Sequence, residues 1–500
     1  MSDDIKGLGE YKGPRDRIGR INNRLKKTVE KQSAGSMSIC KKCGKPFHQS
    51  WRPTKGLYTT FDTCADCRMM VARGTSSAQI EYTPHPAQKL VHESSARFKV
   101  LSCLPPGELI LGSNKQIEDM GQGDYVFGNS GQINPVLRGI SRDYDGDVYE
   151  IKARYVMPFV VTDEHPILLT KVHRNDNFEA FKKGRRPKKT IWSTVEEKWV
   201  KASEVQSYFD EQDKYNKWCL KIPRLQTGAR VTEWKMRELK TCKDYNRESF
   251  PINKETAWAI GIFVAEGNIC RSFITYNFGA HEREFVDRVT NLFTGLGYHV
   301  SERTIEEEHS TRVTITSTAL AELFYEKISV MSDNVQIPTD ILLHPDEEIV
   351  FSFLRGYYDG DGTYDSKRGM IGAKTAGKKL ALQLQLLLAR FGYLAHITVT
   401  KRKQSSIRGR LINNANVAYE IRSTTNDLIQ RLGYGNPDKT WREFGFIKDD
   451  AIYVPLSGIK KSHYSGKVYN ISTADETFLV SNTVTHNCGA RFGKDRCMVM

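Results

Sequence analysis

The stretch NTVTHNCGARFGKDR, residues 482–496, decides how the whole chain is interpreted. Its second half, CGARFGKDR, has the glycine and lysine of half a phosphate-binding loop, in which Gly493 and Lys494 would contact the phosphates of a nucleotide. Such a loop follows a buried strand, but here it follows the polar run THN. The strand that fits is RFKVL, residues 97–101, and a stretch of 385 residues, 103–487, lies between the two.

If residues 103–487 are removed, the sequence reads RFKVLS-CGARFGKDR, a strand that runs directly into the loop. We therefore predict that these residues are an insertion between Ser102 and Cys488. The interrupted host protein is then represented by an N-terminal segment, residues 1–102, and by a C-terminal segment, residues 488–500, which starts its P-loop.

Length and composition limit the class of protein. A chain of 500 residues has room for roughly two to four domains. Its net charge of +15 favours an anionic partner such as nucleic acid, with a basic surface that has no partner as the alternative. No apolar run approaches the roughly 18–20 residues of a membrane helix, so we expect no membrane association. The N-terminus MSDDIKGLGE lacks an apolar signal core, which favours a cytoplasmic location.

Two CxxC pairs stand in the N-terminal segment. Cys40 and Cys43 form the first pair, Cys64 and Cys67 form the second, and 20 residues separate the pairs. Each pair can place two thiolates on one turn, and four thiolates complete a tetrahedral Zn²⁺ site. The spacing predicts a small structural zinc ribbon at residues 40–67. A redox CxxC is the alternative, but it leaves the second pair unexplained.

Short sequence boxes mark both ends of the insertion. The first is CLPPGELILG at 103–112, the next is VTDEHPILL at 161–169, and the last is VYNISTADETFLVSNTVTHNC at 468–488. Together and in this order, they resemble the boxes of inteins. The resemblance implies an all-β Hint horseshoe built from residues 103–235 and 448–487. Short, alternating, turn-punctuated segments agree with an all-β fold.

The residues of the first boxes suit the opening step of protein splicing. The Cys103 thiol is a strong nucleophile once deprotonated, and it can attack the Ser102 carbonyl to turn an amide into a thioester. That step needs a general acid for the leaving amine and hydrogen-bond donors for the oxyanion. We predict that His165 is the acid and that Thr162 is the donor.

The residues of the last box suit the closing steps. Cys488 takes over the upstream segment, and Asn487 cyclises through its side-chain amide, assisted by His486, which cuts the 487–488 bond. An S-to-N shift then joins the two host segments by a peptide bond, so no cofactor is needed. The box departs from related inteins at Asn470 and Glu476, where aspartate and histidine are frequent.

Two nonapeptides inside the insertion, AIGIFVAEG at 259–267 and LRGYYDGDG at 354–362, lie 95 residues apart. The same offset extends across about 37 residues of each copy, which indicates an internal duplication. Further along, the pairing needs about 11 extra residues in the second copy, near KRKQSSIRGR at 401–410. The pairs at the offset of 95 are Gly261 and Gly356, Glu266 and Asp361, Gly267 and Gly362, Leu292 and Leu387, Gly297 and Gly392, and Tyr298 and Tyr393.

The nonapeptides resemble the two LAGLIDADG helices of a DOD-type homing endonuclease, here residues 250–447. The pattern of each copy predicts a helix followed by strand, strand and helix, and Asn253 and Asp346 are the predicted N-caps of the two leading helices. The resemblance implies an α+β domain of duplicated αββαββα copies, whose strands form a saddle on double-stranded DNA. A monomer would then act as a pseudo-dimer.

Paired acids give this domain its predicted chemistry. Gly261 and Gly356 allow the two helices to pack closely, which brings Glu266 and Asp361 together at the helix C-termini. Two close carboxylates repel each other unless a cation lies between them, and Mg²⁺ fits such oxygen ligands. We expect metal-activated water to attack a DNA phosphodiester, with the two sites serving opposite strands.

Three basic features accompany these acids. The stretches at 401–410 and 182–189 (KKGRRPKK) either contact DNA or are solvated loops. Lys374 follows the second helix by 13 residues and could assist the chemistry, although the offset of 95 pairs it with Gly279.

The host segments carry a further resemblance. The joined text HPAQKLVHESSARFKVLSCGARFGKDR resembles the ATPase start of phage large terminase subunits, which are DNA-packaging motors, and this implies a phage or prophage gene. Cys488 and Asp495 depart from the P-loop pattern, which has Gly or Ala first and Ser or Thr last. The chain stops six residues after Lys494, so we expect ATP binding only in a longer, spliced host.

Three interpretations remain. The first is a multidomain, self-splicing precursor with an active embedded endonuclease. The second is a splicing element whose endonuclease is inactive. The third is a zinc-ribbon, nucleic-acid-binding ATPase fragment with an inert insert.

Overall fold

The computed structural model divides the chain into two compact units, Met1–Arg97 and Phe98–Met500. It describes residues 37–41, 43–48, 103–175, 191–237, 248–329, 334–401, 405–407, 410–412, 417–436, 438, 446–448 and 450–487. Several predictions made above therefore lie outside the described residues, namely those for Cys64, Cys67, Ser102, Cys488, Gly493, Lys494, the strand at 97–101 and the basic stretch at 182–189.

The described part of the first unit is an antiparallel hairpin. The second unit begins with short strands and continues into a large sheet. In chain order, the elements up to residue 251 are β1 (Met37–Ile39), β2 (Pro46–His48), β3 (Leu109–Ile110), β4 (Lys115–Gln116), β5 (Tyr125–Phe127), β6 (Ile133–Ala153), β7 (Phe159–Thr162), β8 (Pro166–Asn175), β9 (Ile191–Lys201), α1 (Val205–Asp210), β10 (Asn216–Pro223), β11 (Glu233–Lys235) and β12 (Ser249–Pro251).

Two copies of one αββαββα arrangement follow, as the duplication predicts. The first copy comprises α2 (Lys254–Glu266), β13 (Gly267–Cys270), β14 (Phe273–Gly279), α3 (Arg283–Gly295), β15 (His299–Ile305), β16 (Ser310–Thr316) and α4 (Thr318–Ile328). After the short α5 (Thr339–Leu342), the second copy comprises α6 (Glu347–Asp361), β17 (Gly362–Asp365), β18 (Met370–Thr375), α7 (Lys378–Arg390), β19 (His396–Lys401), β20 (Ser405–Ile407), β21 (Arg410–Ile412), β22 (Val417–Ser423) and α8 (Asn426–Arg431). The two four-stranded sheets have equivalent orders, β13-β14-β16-β15 and β17-β18-β22-β19.

The chain then returns to the large sheet through β23 (Phe446–Ile447), β24 (Ala451–Thr473), β25 (Thr477–Val480) and β26 (Thr483–His486). That sheet has ten antiparallel strands in the order β25-β26-β8-β10-β24-β6-β5, with β23, β7 and β9 attached at its sides. Its spine is the pairing of β6 with β24, from Ala153 opposite Leu456 to Val136 opposite Thr473. Strands from both ends of the predicted insertion therefore build one sheet, and the β-rich prediction for these segments is confirmed.

The duplication is regular in its helices and irregular in its hairpins. α3 and α7 begin and end 95 residues apart, as do the ends of α2 and α6. In the first hairpins, however, Gly267 lies opposite Tyr276, whereas Gly362 lies opposite Ala373. The second hairpin is thus two residues longer, so Lys374 corresponds to Asn277, and the pairing with Gly279 predicted from a constant offset is wrong. The extra residues expected near 401–410 form the additional hairpin β20–β21.

The leading helices of the two copies start and pack as predicted. The Asn253 side chain accepts a hydrogen bond from Thr256 N in a capping box, and the Asp346 side chain accepts one from Glu348 N. α2 and α6 pack face to face. A Cβ added at Gly261 would overlap the Phe353 carbonyl oxygen, so only glycine allows the two backbones to come this close.

One hydrophobic cluster extends through the large sheet and both copies of the repeat. It includes Ile167 and Val484 of the large sheet, Phe293 of the first copy and Leu386 of the second. Burial of these side chains therefore joins the two predicted domains of the insertion into one core. Among the described residues, no helix combines the length and the apolar character needed to cross a membrane.

Candidate functional site

The first candidate site surrounds the first residue of the predicted insertion. Cys103 is fully buried, and its backbone N–H donates a 3.0 Å hydrogen bond to Thr162 Oγ1. Thr162 Oγ1 in turn donates to the Cys103 carbonyl oxygen at 3.2 Å, and Thr162 N donates to the same oxygen at 3.0 Å. A hydrogen-bonded bridge between Leu104 and Tyr469 anchors the next residue to β24. Thr162 therefore contacts the nitrogen that a break before Cys103 would release.

His165 lies in the same buried space, at the turn between β7 and β8. Its Nε2 atom contacts Thr485 Oγ1 on β26, and no solvent reaches the ring. Burial, and after it the nearby charge of His486, lowers the pKa of His165 to about 3, and a hydrogen bond with the Cys103 backbone opposes part of that shift. The ring is therefore neutral near pH 7, and a low pKa makes its protonated form a strong proton donor.

The last residues of the predicted insertion reach the same sheet. His486 Nδ1 lies 2.8 Å from the Asn487 carbonyl oxygen, and because a carbonyl only accepts, Nδ1 is the donor. His486 Nε2 lies 3.6 Å from Glu476 Oε2, and the ring of Trp199 packs edge-on against the imidazole, 5.0 Å between centroids.

Asn487 is itself held in place. Its N–H donates to the Glu476 carbonyl oxygen at 2.8 Å, and its side-chain Nδ2 donates to the Thr473 carbonyl oxygen at 3.3 Å. The residue is buried. A fixed backbone and an enclosed side-chain amide suit an intramolecular attack, which depends on the orientation of the reacting groups.

The structure thus brings together predicted residues from the two ends of a 385-residue stretch. His165 and Thr485 make their contact across 320 residues of sequence. Sequence reasoning missed Thr485, Trp199 and the contact of Glu476 with His486. The spacing of Thr485 directly before His486 could have indicated the first, but no local signal marks Trp199.

The second candidate site lies where α2 and α6 end. Glu266 and Asp361 are the last residues of these helices. A Cβ placed at Gly360 would lie 3.2 Å from the Cγ atom of Glu266, so the two helix ends adjoin. Burial raises the pKa of Glu266, and the charge of Glu282, which sequence reasoning missed, raises it further. Such an acid gains from a neutralising cation, so the two carboxylates fit Mg²⁺.

Lys374 and Asp359 flank this site. Lys374 is mostly exposed on β18, beside Ala373, and its Nζ lies 3.9 Å from Glu420 Oε1. Asp359, by contrast, is turned away from the predicted metal position, because it accepts a 2.9 Å hydrogen bond from Trp258 Nε1 and pairs with Arg355 at 2.6 Å. Asp359 is therefore engaged between the two leading helices, and Asp361 stays the predicted metal ligand of the second nonapeptide.

The first CxxC pair lies on the turn between β1 and β2. Cys40 is buried and Cys43 is exposed, and the turn closes through hydrogen bonds from Cys40 N to Lys45 O and from Gly44 N to Cys40 O. In the described parts of the chain, no group of three or more potential metal-binding side chains occurs. Because Cys64 and Cys67 lie outside those parts, the zinc ribbon stays a prediction.

Several known proteins are similar to parts of this chain. The ATP-dependent DNA helicase Hel308 of Thermococcus kodakarensis is 25% identical over 433 residues, which cover 79% of this chain and 37% of the relative. An iron-sulfur cluster assembly SufBD family protein of Mycobacterium tuberculosis is 26% identical over 423 residues, covering 80% of this chain and 44% of the relative. The chain thus spans less than half the length of these relatives.

Among solved structures, the homing endonuclease I-DmoI matches at 12% identity with a TM-score of 0.26, over 36% of this chain and 93% of that one. A family model gives the more specific result, because it covers the second copy of the repeat from the first turn of α6 to the start of α8. Residues 348–425 match the family described as the LAGLIDADG-like domain.

Proposed function

We propose that residues 103–487 are an intein that excises itself and joins Ser102 to Cys488. The observation that carries this proposal is that one sheet brings the two ends together. Cys103 bonds to Thr162 on β7, and His165 contacts Thr485 on β26, the strand that ends at His486 beside Asn487. A sheet that closes the two ends of a 385-residue stretch on each other suits a reaction that must cut both ends and join what lies outside them.

In the first step, His165 accepts the thiol proton of Cys103, and the sulfur attacks the Ser102 carbonyl carbon. The C–N bond to Cys103 breaks, and the imidazolium returns the proton to the released nitrogen, which leaves a thioester and a free amine. Thr162 Oγ1, at 3.0 Å, holds that nitrogen in place. This changes the role predicted for Thr162 from oxyanion donor to positioning of the leaving amine.

In the later steps, the Cys488 thiol takes the acyl group and Cys103 leaves as a thiol. The Asn487 side-chain nitrogen then attacks its own carbonyl carbon, and the bond to Cys488 breaks. His486 Nδ1, at 2.8 Å, donates to the oxygen on which negative charge develops. Glu476 Oε2 lies 3.6 Å from the other ring nitrogen, where a carboxylate orients the imidazole ring.

The relatives support an element that moves between hosts. A DNA helicase and an iron-sulfur cluster assembly protein have different cellular tasks, yet each aligns with 79–80% of this chain. The predicted insertion accounts for a similar share, 385 of 500 residues. A common intein in unlike hosts explains both figures.

Expression of the full chain tests splicing. We expect a 385-residue free protein and a 115-residue product in which residues 1–102 are joined to 488–500. Cys103→Ala combined with Asn487→Ala should leave the 57.0 kDa precursor intact. Mass spectrometry across the Ser102–Cys488 junction identifies the product. If the unaltered chain also stays at 57.0 kDa in every condition, splicing is wrong.

We further propose that residues 250–447 form a site-specific endonuclease of the LAGLIDADG type. The family match, the duplicated αββαββα fold and the adjoining helix ends that carry Glu266 and Asp361 support it. These two residues would hold Mg²⁺, which supplies an activated water and neutralises charge on the scissile phosphate. The two four-stranded sheets would lie on double-stranded DNA, and one chain would suffice because it contains both copies.

Cleavage of the uninterrupted host gene tests this activity. The substrate is a duplex that spans the codons for 97–102 and 488–494 without the insertion, incubated with the protein and Mg²⁺. We expect Glu266→Gln or Asp361→Asn to reduce double-strand cleavage by about 100-fold or more. Lys374→Ala should reduce it by less than about tenfold, because that side chain points largely to solvent. Equal cleavage by the acid variants would exclude the assigned roles.

For the host, we propose a terminase-like DNA-packaging ATPase whose N-terminal segment binds Zn²⁺ through Cys40, Cys43, Cys64 and Cys67. The turn that carries Cys40 and Cys43 supports the first half of that site. Zinc content of the purified N-terminal segment, with and without Cys40→Ser, gives the test, and one zinc per chain lost on substitution is the expected result.

A further inference from the structure

The turn before the C-terminal splice residues is an unusual feature of the large sheet. Ser481 and Asn482 connect β25 to β26, and both have left-handed backbone conformations, with φ of +47° and +65°. Two consecutive left-handed residues give the tight hairpin whose twist matches paired strands, a position that usually holds asparagine or glycine. Such turns are usually exposed, but both residues here are 2% exposed.

What buries the turn is α7, a helix of the second repeat copy. Asn482 Nδ2 donates to the Leu382 carbonyl oxygen and to Gln385 Oε1, each at 2.9 Å. Gln385 Nε2 donates to the Tyr155 carbonyl oxygen at 2.7 Å and to the Ala395 carbonyl oxygen at 2.9 Å. One buried amide thus joins the turn before β26, the loop between β6 and β7, and the segment that precedes β19.

β26 depends on this support because it is short and lightly held. It has four residues, pairs fully with β25, and meets β8 at the single pair Thr485 and Ile167. The strand carries Thr485 against His165 and ends with His486 beside Asn487. A movement at Asn482 is therefore transmitted within a few residues to the carbonyl that the proposed cyclisation attacks.

We propose that α7 of the endonuclease positions the C-terminal splice residues, with the Gln385–Asn482 hydrogen bond as the contact that does so. The inference rests on the splicing function proposed above. It makes Gln385 and Asn482 positioning residues for cleavage at the 487–488 bond, and it makes excision dependent on a folded endonuclease. The N-terminal step depends on them less, because Thr162 on β7 holds Cys103 and Tyr469 on β24 holds the next residue, Leu104.

The same helix offers a matched control. Gln383 is also 1% exposed, and its amide accepts from Ile337 N at 2.8 Å and donates to Ile337 O at 3.3 Å. Its partners lie between the two repeat copies and not in the large sheet. Gln383→Leu and Gln385→Leu therefore remove one buried amide each from one helix, and only the second touches the turn.

The experiment compares these two variants in the full chain. We expect Gln385→Leu to slow C-terminal cleavage by about tenfold or more relative to Gln383→Leu, with thiol-induced cleavage before Cys103 within about twofold of it. Adding Asn482→Gly to Gln385→Leu should not restore the rate, because the turn then also loses its hydrogen bond to the Leu382 carbonyl oxygen. Equal rates of C-terminal cleavage in the two leucine variants would overturn the proposal.

A second measurement does not require splicing. In the precursor blocked by Cys103→Ala and Asn487→Ala, amide hydrogen exchange of residues 481–487 should be faster with Gln385→Leu than with Gln383→Leu. If the unaltered chain fails to splice but this difference appears, the function is wrong and the contact between helix and turn is right. If splicing proceeds and the two variants have equal exchange rates, the positioning role is wrong. It is also wrong if the exchange rates of the two variants differ while their rates of C-terminal cleavage are the same.

Discussion

The second helices of the two repeat copies, α3 and α7, occupy the same place 95 residues apart but have different surroundings. α3 buries three side chains, Val286, Val289 and Phe293. α7 buries eleven in succession, from Leu380 to Arg390. A helix that is apolar on one side covers a core, whereas a helix buried on every side lies inside one.

The polar contacts of the two helices show what encloses the second. Charged residues of α3 pair within the first copy, as Arg288 does with Glu255 at 3.0 Å. α7 packs against β10 of the large sheet as well as against its own sheet, and Lys378 reaches Glu108 at 3.3 Å. The duplication therefore supplies one framework twice, and the large sheet packs against the helix of the second copy.

Exchanging the residue types at one equivalent position of α3 and α7 should have the largest and most unequal effect on stability. Leu386 is fully buried in α7, and the equivalent residue of α3, 95 positions earlier, is the exposed Asn291. Leu386→Asn deletes apolar contacts and buries an amide, so we expect the free energy of unfolding to fall by roughly 4 kcal/mol. Asn291→Leu should change it by less than about 0.5 kcal/mol. Urea denaturation of the non-splicing precursor measures both.

The same variants report on how far the two domains depend on each other. Leu386→Asn should also reduce the proposed splicing at about 37 °C, because α7 and the large sheet share one core. Asn291→Leu serves as the control for altering a repeat helix at all. Comparable losses of stability in both variants would show that the two helices are equally enclosed.

Local features of these copies were predictable because their causes are local. Asn253 and Asp346 cap the leading helices through neighbouring backbone groups. The equivalent glycines at 261 and 356 indicated from the sequence that these two helices pack closely. The burial of Leu386 was not predictable, because it depends on a sheet built from distant strands. The contact of His165 with Thr485 spans 320 residues, and no periodicity encodes it.

The leading helices α2 and α6 contact each other through one glycine on each helix. A Cβ added at Gly261 would overlap the Phe353 carbonyl oxygen, and one added at Gly356 would overlap the Trp258 carbonyl oxygen. We expect alanine at either position to cost about 3 kcal/mol, in equal measure, because the helices must separate. Gly295→Ala is the control, since nothing lies within 4 Å of its added Cβ. Unequal costs at 261 and 356, by urea denaturation, would contradict a symmetric interface.

Titration of His165 tests whether the second copy unfolds together with the large sheet. Its pKa is about 3 when folded and about 6.5 when unfolded, so below pH 6.5 the unfolded chain binds a proton that the folded chain does not. Stability is therefore lost as the pH falls, by about 2 kcal/mol between pH 6.5 and 5. His165→Gln should remove that part of the pH dependence.

Hydrogen exchange at pH 7 and pH 5 resolves the effect by region. Amides of α7 should lose protection with those of β8, because the two share a core, whereas amides of α3 should lose less. An unchanged pH dependence in His165→Gln would contradict the shift, and equal losses in α3 and α7 would contradict the unequal enclosure.

We expect the smallest change in stability from substitutions of the two aspartates of the second nonapeptide, Asp359 and Asp361. Asp359 accepts from Trp258 Nε1 and pairs with Arg355, whereas the first copy has Val264 at the equivalent place. Asp359→Asn keeps an acceptor for the tryptophan and loses an ion pair with a partly exposed arginine, so we expect a loss of about 1 kcal/mol and unchanged DNA cleavage. Asp361→Asn should do the opposite, with cleavage lost and stability within about 0.5 kcal/mol. Because a single residue separates the two aspartates on the same helical turn, an exchange of these outcomes would reassign the metal ligand of the second copy to Asp359.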